Sequence, residues 1–126
     1  MVQTLIAILG ITIMATSSPA YYCTSSDSLG CYWGTKKVVV YDGVDENVYY
    51  HELGHAFFDK NEFVQKLIKC YPGYKIETTY ILRGADPYKE RVANYFSEYM
   101  LNEKYFSVWY PCLSIVFRDE LNKLKE

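Results

Sequence analysis

The sequence predicts a small α+β domain, with a short, mostly antiparallel sheet packed against helices that carry the polar chemistry. Three observations lead there. Val38-Val39-Val40 is a continuous β-branched run between β-forming neighbours, the pattern of a covered strand. Residues 46–59 and 88–104 repeat apolar side chains at helical spacing. Strong turn formers, Asp42-Gly43 and Tyr71-Pro72-Gly73, separate these runs. The 126 residues suffice for one domain with a modest core. Within 1–126 the pattern divides into a sheet region over 1–45, a pair of chemically loaded helices over 46–104 and a C-terminal amphipathic segment over 105–126.

Taken in order, residues 1–26 carry no charged side chain, and Leu5 to Met14 form an apolar run broken by Gly10. We read it as a short helix through Leu9 followed by a buried strand, Ile11–Ala15. The competing reading is a signal peptide over residues 1–20, ending in small residues near Ala20. That reading lacks a basic n-region, and the run is short for a membrane span. Without residues 1–20 the sheet would shrink to a hairpin, a poor platform for a helix. The expectation is therefore a cytoplasmic protein with no stable membrane span, the secreted protein being the alternative. Residues 17–29 form a polar connection. Gly30 to Trp33 and Lys36 to Tyr41 pair around a Gly34-Thr35 turn, and Asp45 is placed to N-cap the next helix.

Helix 46–59 has two faces. Val48, His51, Glu52 and His55 gather on one, and Tyr49, Leu53, Ala56 and Phe57 form an apolar stripe on the other. Glu62 to Cys70 is a second helix, and Lys75 to Leu82 is extended. Asp86-Pro87 opens a third helix running from Tyr88 to about Lys104, with Val92, Ala93, Phe96, Tyr99 and Met100 on its apolar side. Pro111 precedes a last amphipathic stretch through Leu113, Val116, Phe117, Leu121 and Leu124.

Composition excludes some partners. Half the residues are apolar, the formal net charge is −2 and no Lys/Arg stripe appears, so direct nucleic-acid binding is not expected. Cys23, Cys31, Cys70 and Cys112 show no CxxC spacing. They would form two disulfides, in one of three connectivities, in an exported chain, and buried thiols in a reducing cytosol.

The chemistry centres on His51-Glu52-Leu53-Gly54-His55, an HExxH motif containing the only two histidines of the chain. Residues four apart share a helix face, so both imidazoles can reach one ion. Glu52 lies about 100° round the axis from His51 and can address a water beside that ion without ligating it. This arrangement is that of zinc-dependent peptidases. Catalytic zinc takes three protein ligands and keeps a fourth position open. With no third histidine, a carboxylate is the natural third ligand, while a thiolate stays open. Glu90 is the best candidate and Glu98 the runner-up. Asn94, four residues after Glu90, is placed to orient a ligand histidine. The expected cofactor is one Zn2+ per chain. Zinc lowers the pKa of water towards ~7, Glu52 acts as general base, and a tyrosine, Tyr80 or Tyr88, is the oxyanion donor.

HELGHAFF at 51–58 followed by ERVANYFSEYML at 90–101 resembles the ImmA/IrrE metallopeptidases of bacteria, their mobile elements and their phages. Those proteins pair HELGH with a later E-x-x-A-N-x-F-A segment. Glu90, Ala93, Asn94 and Phe96 match it, and Ser97 stands where alanine is usual. The resemblance spans most of residues 8–102. It implies a zincin-like, gluzincin fold with His51, His55 and Glu90 as zinc ligands and Glu52 as catalytic base. It also implies a protein substrate such as a repressor or other regulator. The chain departs from that family in a longer interval between His55 and Glu90 and in having no helix-turn-helix region. A more distant likeness is to lethal-factor-type secreted peptidases. The alternative from a different class is a non-catalytic binding module on the same fold, motivated by the aromatic run at residues 105–110. Packing of that run beneath the C-terminal helix is the simpler expectation. The oligomeric state is not encoded in any pattern read above.

Overall fold

In a computed structural model, the structure describes residues 2–19, 23, 30–33, 36–58, 61–71 and 87–124. Among these, six helices accompany one three-stranded mixed sheet, an α+β arrangement. The chain opens with α1 (Val2–Leu9), which leads into β1 (Thr12–Thr16). A Schellman turn makes that junction. Gly10, at φ +67°, closes the helix while Ile11 N–H donates to Ile6 O (3.0 Å) and Gly10 N–H to Ala7 O (3.2 Å). The glycine that interrupts the apolar run is thus the helix stop. Leu5 is fully buried, so α1 contributes to the core.

Strands β2 (Gly30–Trp33) and β3 (Lys37–Tyr41) follow, and the sheet order is β1-β3-β2. Two expectations change here. The sheet is mixed rather than mostly antiparallel: β2 pairs with β3 antiparallel, but β1 runs parallel to β3, with Thr12 opposite Lys37 and Thr16 opposite Tyr41. The chain reverses once into β2 and again into β3, so β3 returns in the direction of β1 and takes the centre. β1 is also not a buried strand. It is an edge with Thr12 and Ala15 exposed, and only Ile11, just before it, is buried. The β-branched run belongs to the central strand, where Val38, Val39 and Val40 are all buried, as a strand covered on both faces requires.

Gly43, at φ +71°, turns the chain out of β3, and the Asp45 carbonyl accepts the first helical bonds from Val48 and Tyr49. Helix α2 (Glu46–Phe58) packs along α4 (Pro87–Leu101) and over β2 and β3. Between them lies α3 (Asn61–Cys70), and the expected extended stretch 75–82 falls outside the described residues. The third expected helix ends at Leu101, short of Lys104. Asn102 breaks it and caps α5 (Glu103–Trp109), its side chain accepting from the Tyr105 N–H at 3.1 Å. Then α6 (Pro111–Leu124) starts on its proline.

The core is strongly aromatic. Phe58 meets Phe63, Phe96 and Phe117 at ring-centroid distances of 4.7, 5.1 and 5.4 Å. Tyr99 and Phe106 extend the cluster towards α5 and α6. The aromatic run at 105–110 divides: Phe106 is buried, whereas Tyr105, Val108 and Trp109 are exposed. All four cysteines are paired, Cys23 with Cys31 and Cys70 with Cys112. The second bridge ties the end of α3 to the start of α6. No described helix is long and apolar enough to cross a membrane.

Candidate metal centre

Helix α2 turns Leu53, Phe57 and Phe58 into the core, which leaves His51 and His55 half-buried on an adjoining face. Helix α4 buries Val92, Ala93, Tyr95 and Phe96, and this sets Glu90 and Asn94 at the border facing the histidines. Glu90 reaches both rings with separate oxygens. Oε2 lies 3.1 Å from His51 Nε2, and Oε1 lies 3.0 Å from His55 Nε2. The two Nε2 atoms are 3.2 Å apart, with the rings edge to face. The side chain of Asn94 hydrogen-bonds to His51.

These separations fit a tetrahedral zinc ion. Donors held about 2.0–2.1 Å from such an ion lie about 3.4 Å from one another. The two Nε2 atoms, 3.2 Å apart, and the two Glu90 oxygens, each 3.0–3.1 Å from one ring, need only spread slightly to reach that spacing. Glu52 is also near, since His51, Glu52 and His55 all place a donor within 4.8 Å of the others. Its Oε1 is 3.7 Å from His51 Nε2, however, and it does not bridge the two rings as Glu90 does. Glu90 thus touches both rings and Glu52 only His51.

Glu52 is only 5 % exposed, and its Oε2 has no hydrogen-bond partner. Burial pushes its carboxyl above the ordinary carboxylate range, against the pull of the two histidines. For Glu90, burial also acts upward, but hydrogen bonds from His51 and His55 outweigh it and hold the carboxyl well below its usual range. For His51, burial acts downward, and the bond to Glu90 with the charges of Glu52 and Glu90 outweighs it and raises the pKa. A buried base with one unused oxygen, beside three convergent donors, can accept a proton from a water placed between them.

The other candidates separate cleanly. Glu98 is exposed and lies about 12 Å along the helix axis from Glu90, out of reach of the histidines. The thiolate alternative closes, because every cysteine is in a disulfide. Tyr88 is half-buried on the first turn of α4 against the core, and Tyr80 lies outside the described residues. Sequence reasoning missed two neighbours. Gly30, at the start of β2, lies so close to Glu52 that an added Cβ would sit 3.2 Å from its Cγ. Ser97, buried on α4, donates its hydroxyl to the Asn47 carbonyl at 2.8 Å. The one signal for Ser97 in the sequence is its place at the position where the E-x-x-A-N-x-F-A pattern has alanine.

Comparison with known proteins brings no match to any family model, any curated protein or any solved structure.

Proposed function

We propose that the chain is a zinc-dependent endopeptidase that hydrolyses peptide bonds of a protein substrate. The carrying observation is the convergence of His51, His55 and Glu90 at donor spacing beside a buried Glu52 whose Oε2 has no hydrogen-bond partner. His51, His55 and Glu90 would hold the ion, and Asn94 would orient His51. Held there, a zinc ion would supply Lewis acidity towards water and a carbonyl. Glu52 takes the proton of the attacking water on a carboxylate oxygen and passes it to the leaving amine. The raised pKa of Glu52 suits both halves of that exchange. Tyr80 and Tyr88 are the candidates for donating to the oxyanion. The motif resemblance supports an ImmA/IrrE-type gluzincin domain and a repressor or other regulator as substrate.

Glu52→Gln keeps the shape of the side chain and removes the base. It should retain zinc and lose about 10²- to 10⁴-fold in cleavage rate of an unstructured protein such as casein. Cleavage at the wild-type rate would rule the mechanism out.

The paired cysteines favour an oxidising compartment over the cytoplasm expected from the sequence, whereas α1 and β1, both within residues 1–20, argue against removal of that stretch as a signal peptide. Exposed Tyr105, Val108 and Trp109 support the second reading, a binding module. A pure binder has no use for a buried Glu52 with one oxygen unbonded, and the peptidase is the better account.

A further inference from the structure

Helices α2 and α4 come closest at Gly54 and Ala93. A Cβ added to Gly54 would lie 3.0 Å from Ala93 Cα, 3.2 Å from Phe96 Cδ2 and 3.3 Å from Ala93 O. Two of those three atoms are backbone and cannot rotate aside. Glycine in a helix interior is otherwise unfavourable, and here the space between the helices demands it.

The site is built symmetrically about this contact. His51 and His55 flank Gly54 at three residues before and one after, and Glu90 and Asn94 flank Ala93 in the same way. Each pair therefore sits on the helical turn that the contact fixes. One turn beyond Ala93, Ser97 ties α4 to Asn47 near the start of α2. The contacts run in opposite order along the two helices: Asn47 meets Ser97, and His55 meets Glu90. The Gly54–Ala93 contact sets how closely the helices approach, and the Ser97–Asn47 bond limits sliding.

We propose that Gly54, Ala93 and Ser97 are positioning residues that set the spacing and register of α2 against α4, and thereby bring Glu90 onto both histidines. This rests on the zinc-site reading. Carbon atoms settle about 3.5–4.0 Å apart, so an alanine at position 54 would push the helices apart by about a few tenths of an ångström. Metal–ligand distances hold within about ±0.2 Å, so that displacement exceeds what the donor set absorbs.

The experiment compares the full chain as wild type, Gly54→Ala and Ser97→Ala. Three properties are read: zinc affinity by chelator competition, the visible spectrum of the Co2+-substituted protein, and the thermal midpoint without metal. Gly54→Ala should bind zinc about 10- to 100-fold more weakly and alter the Co2+ spectrum, while the metal-free form stays folded with a lowered midpoint. Ser97→Ala should weaken zinc roughly threefold or more with the fold intact. If Gly54→Ala binds zinc as the wild type does, with an unchanged Co2+ spectrum, the proposal is overturned and the zinc-site reading stands. Should Gly54→Ala fail to fold, Ser97→Ala decides: weakened zinc supports the proposal, and unchanged affinity overturns it. A folded wild type that binds no zinc overturns both.

Discussion

The two ends of the α2–α4 contact solve opposite problems. Around Gly54 and Ala93 the helices meet with almost no side chain between them, and a cluster of polar groups sits at the rim. One turn on, Phe57 and Phe58 meet Phe96, with Phe117 behind, and the space is filled by aromatic bulk. The eight residues His51 to Phe58 hold both ends. The first end gains closeness and leaves one oxygen of a buried carboxylate without a hydrogen bond, while the second gains apolar burial and offers no chemistry. The site's geometry is stabilised from its neighbour: the aromatic end supplies stability that the polar end spends.

The largest test of that division falls on the aromatic end. Phe58→Ala should cost about 3–5 kcal/mol of stability in urea denaturation, since a nearly unexposed ring leaves a cavity among three others. A cost below about 1 kcal/mol would place the source of stability elsewhere. Next in size is the Cys70–Cys112 bridge, which closes a loop of sequence separation 42. Replacing both cysteines with serine should cost about 2–4 kcal/mol, and zinc affinity should stay near wild type because the bridge lies at the α3–α6 end. A change in zinc affinity as large as the loss of stability would break the separation of the two ends.

The smallest effect sharpens the polar end through pH. Glu90, with its pKa lowered in the fold, stabilises the metal-free protein above the unfolded value of about 4.3, and this is lost as pH falls through the lower folded value. His51, with its pKa raised, stabilises below about 6.5, and this is lost as pH rises through the higher folded value. Their joint contribution is therefore greatest between roughly pH 4.3 and 6.5. Zinc needs neutral imidazoles, so the loaded protein should instead gain stability as pH rises towards 8 or so. Melting curves with chelator and with zinc should diverge above about pH 6.5, and parallel curves would contradict the ligand assignment.

Much of this was legible in the sequence because it depends on local spacing. The shared face of His51 and His55, the central Val38–Val40 strand, and the starts of α4 and α6 at Pro87 and Pro111 follow from periodicity and turn chemistry. What depends on tertiary pairing was hidden. Alternation gives no strand direction, so the parallel β1–β3 pair was missed. The break at Asn102 has neither glycine nor proline and rests on one side-chain cap. Cysteine spacing allowed three pairings and could not choose among them. The Gly54–Ala93 approach needs both helices in place before its consequence appears.

The most direct measurement is zinc content by elemental mass spectrometry, on wild type and Glu90→Ala prepared in parallel. About one zinc per wild-type chain, falling sharply in the variant, is the result a His51–His55–Glu90 centre requires. A folded wild type that neither carries zinc nor takes up added zinc would contradict it, and the exposed aromatic surface of α5 would then become the leading functional feature.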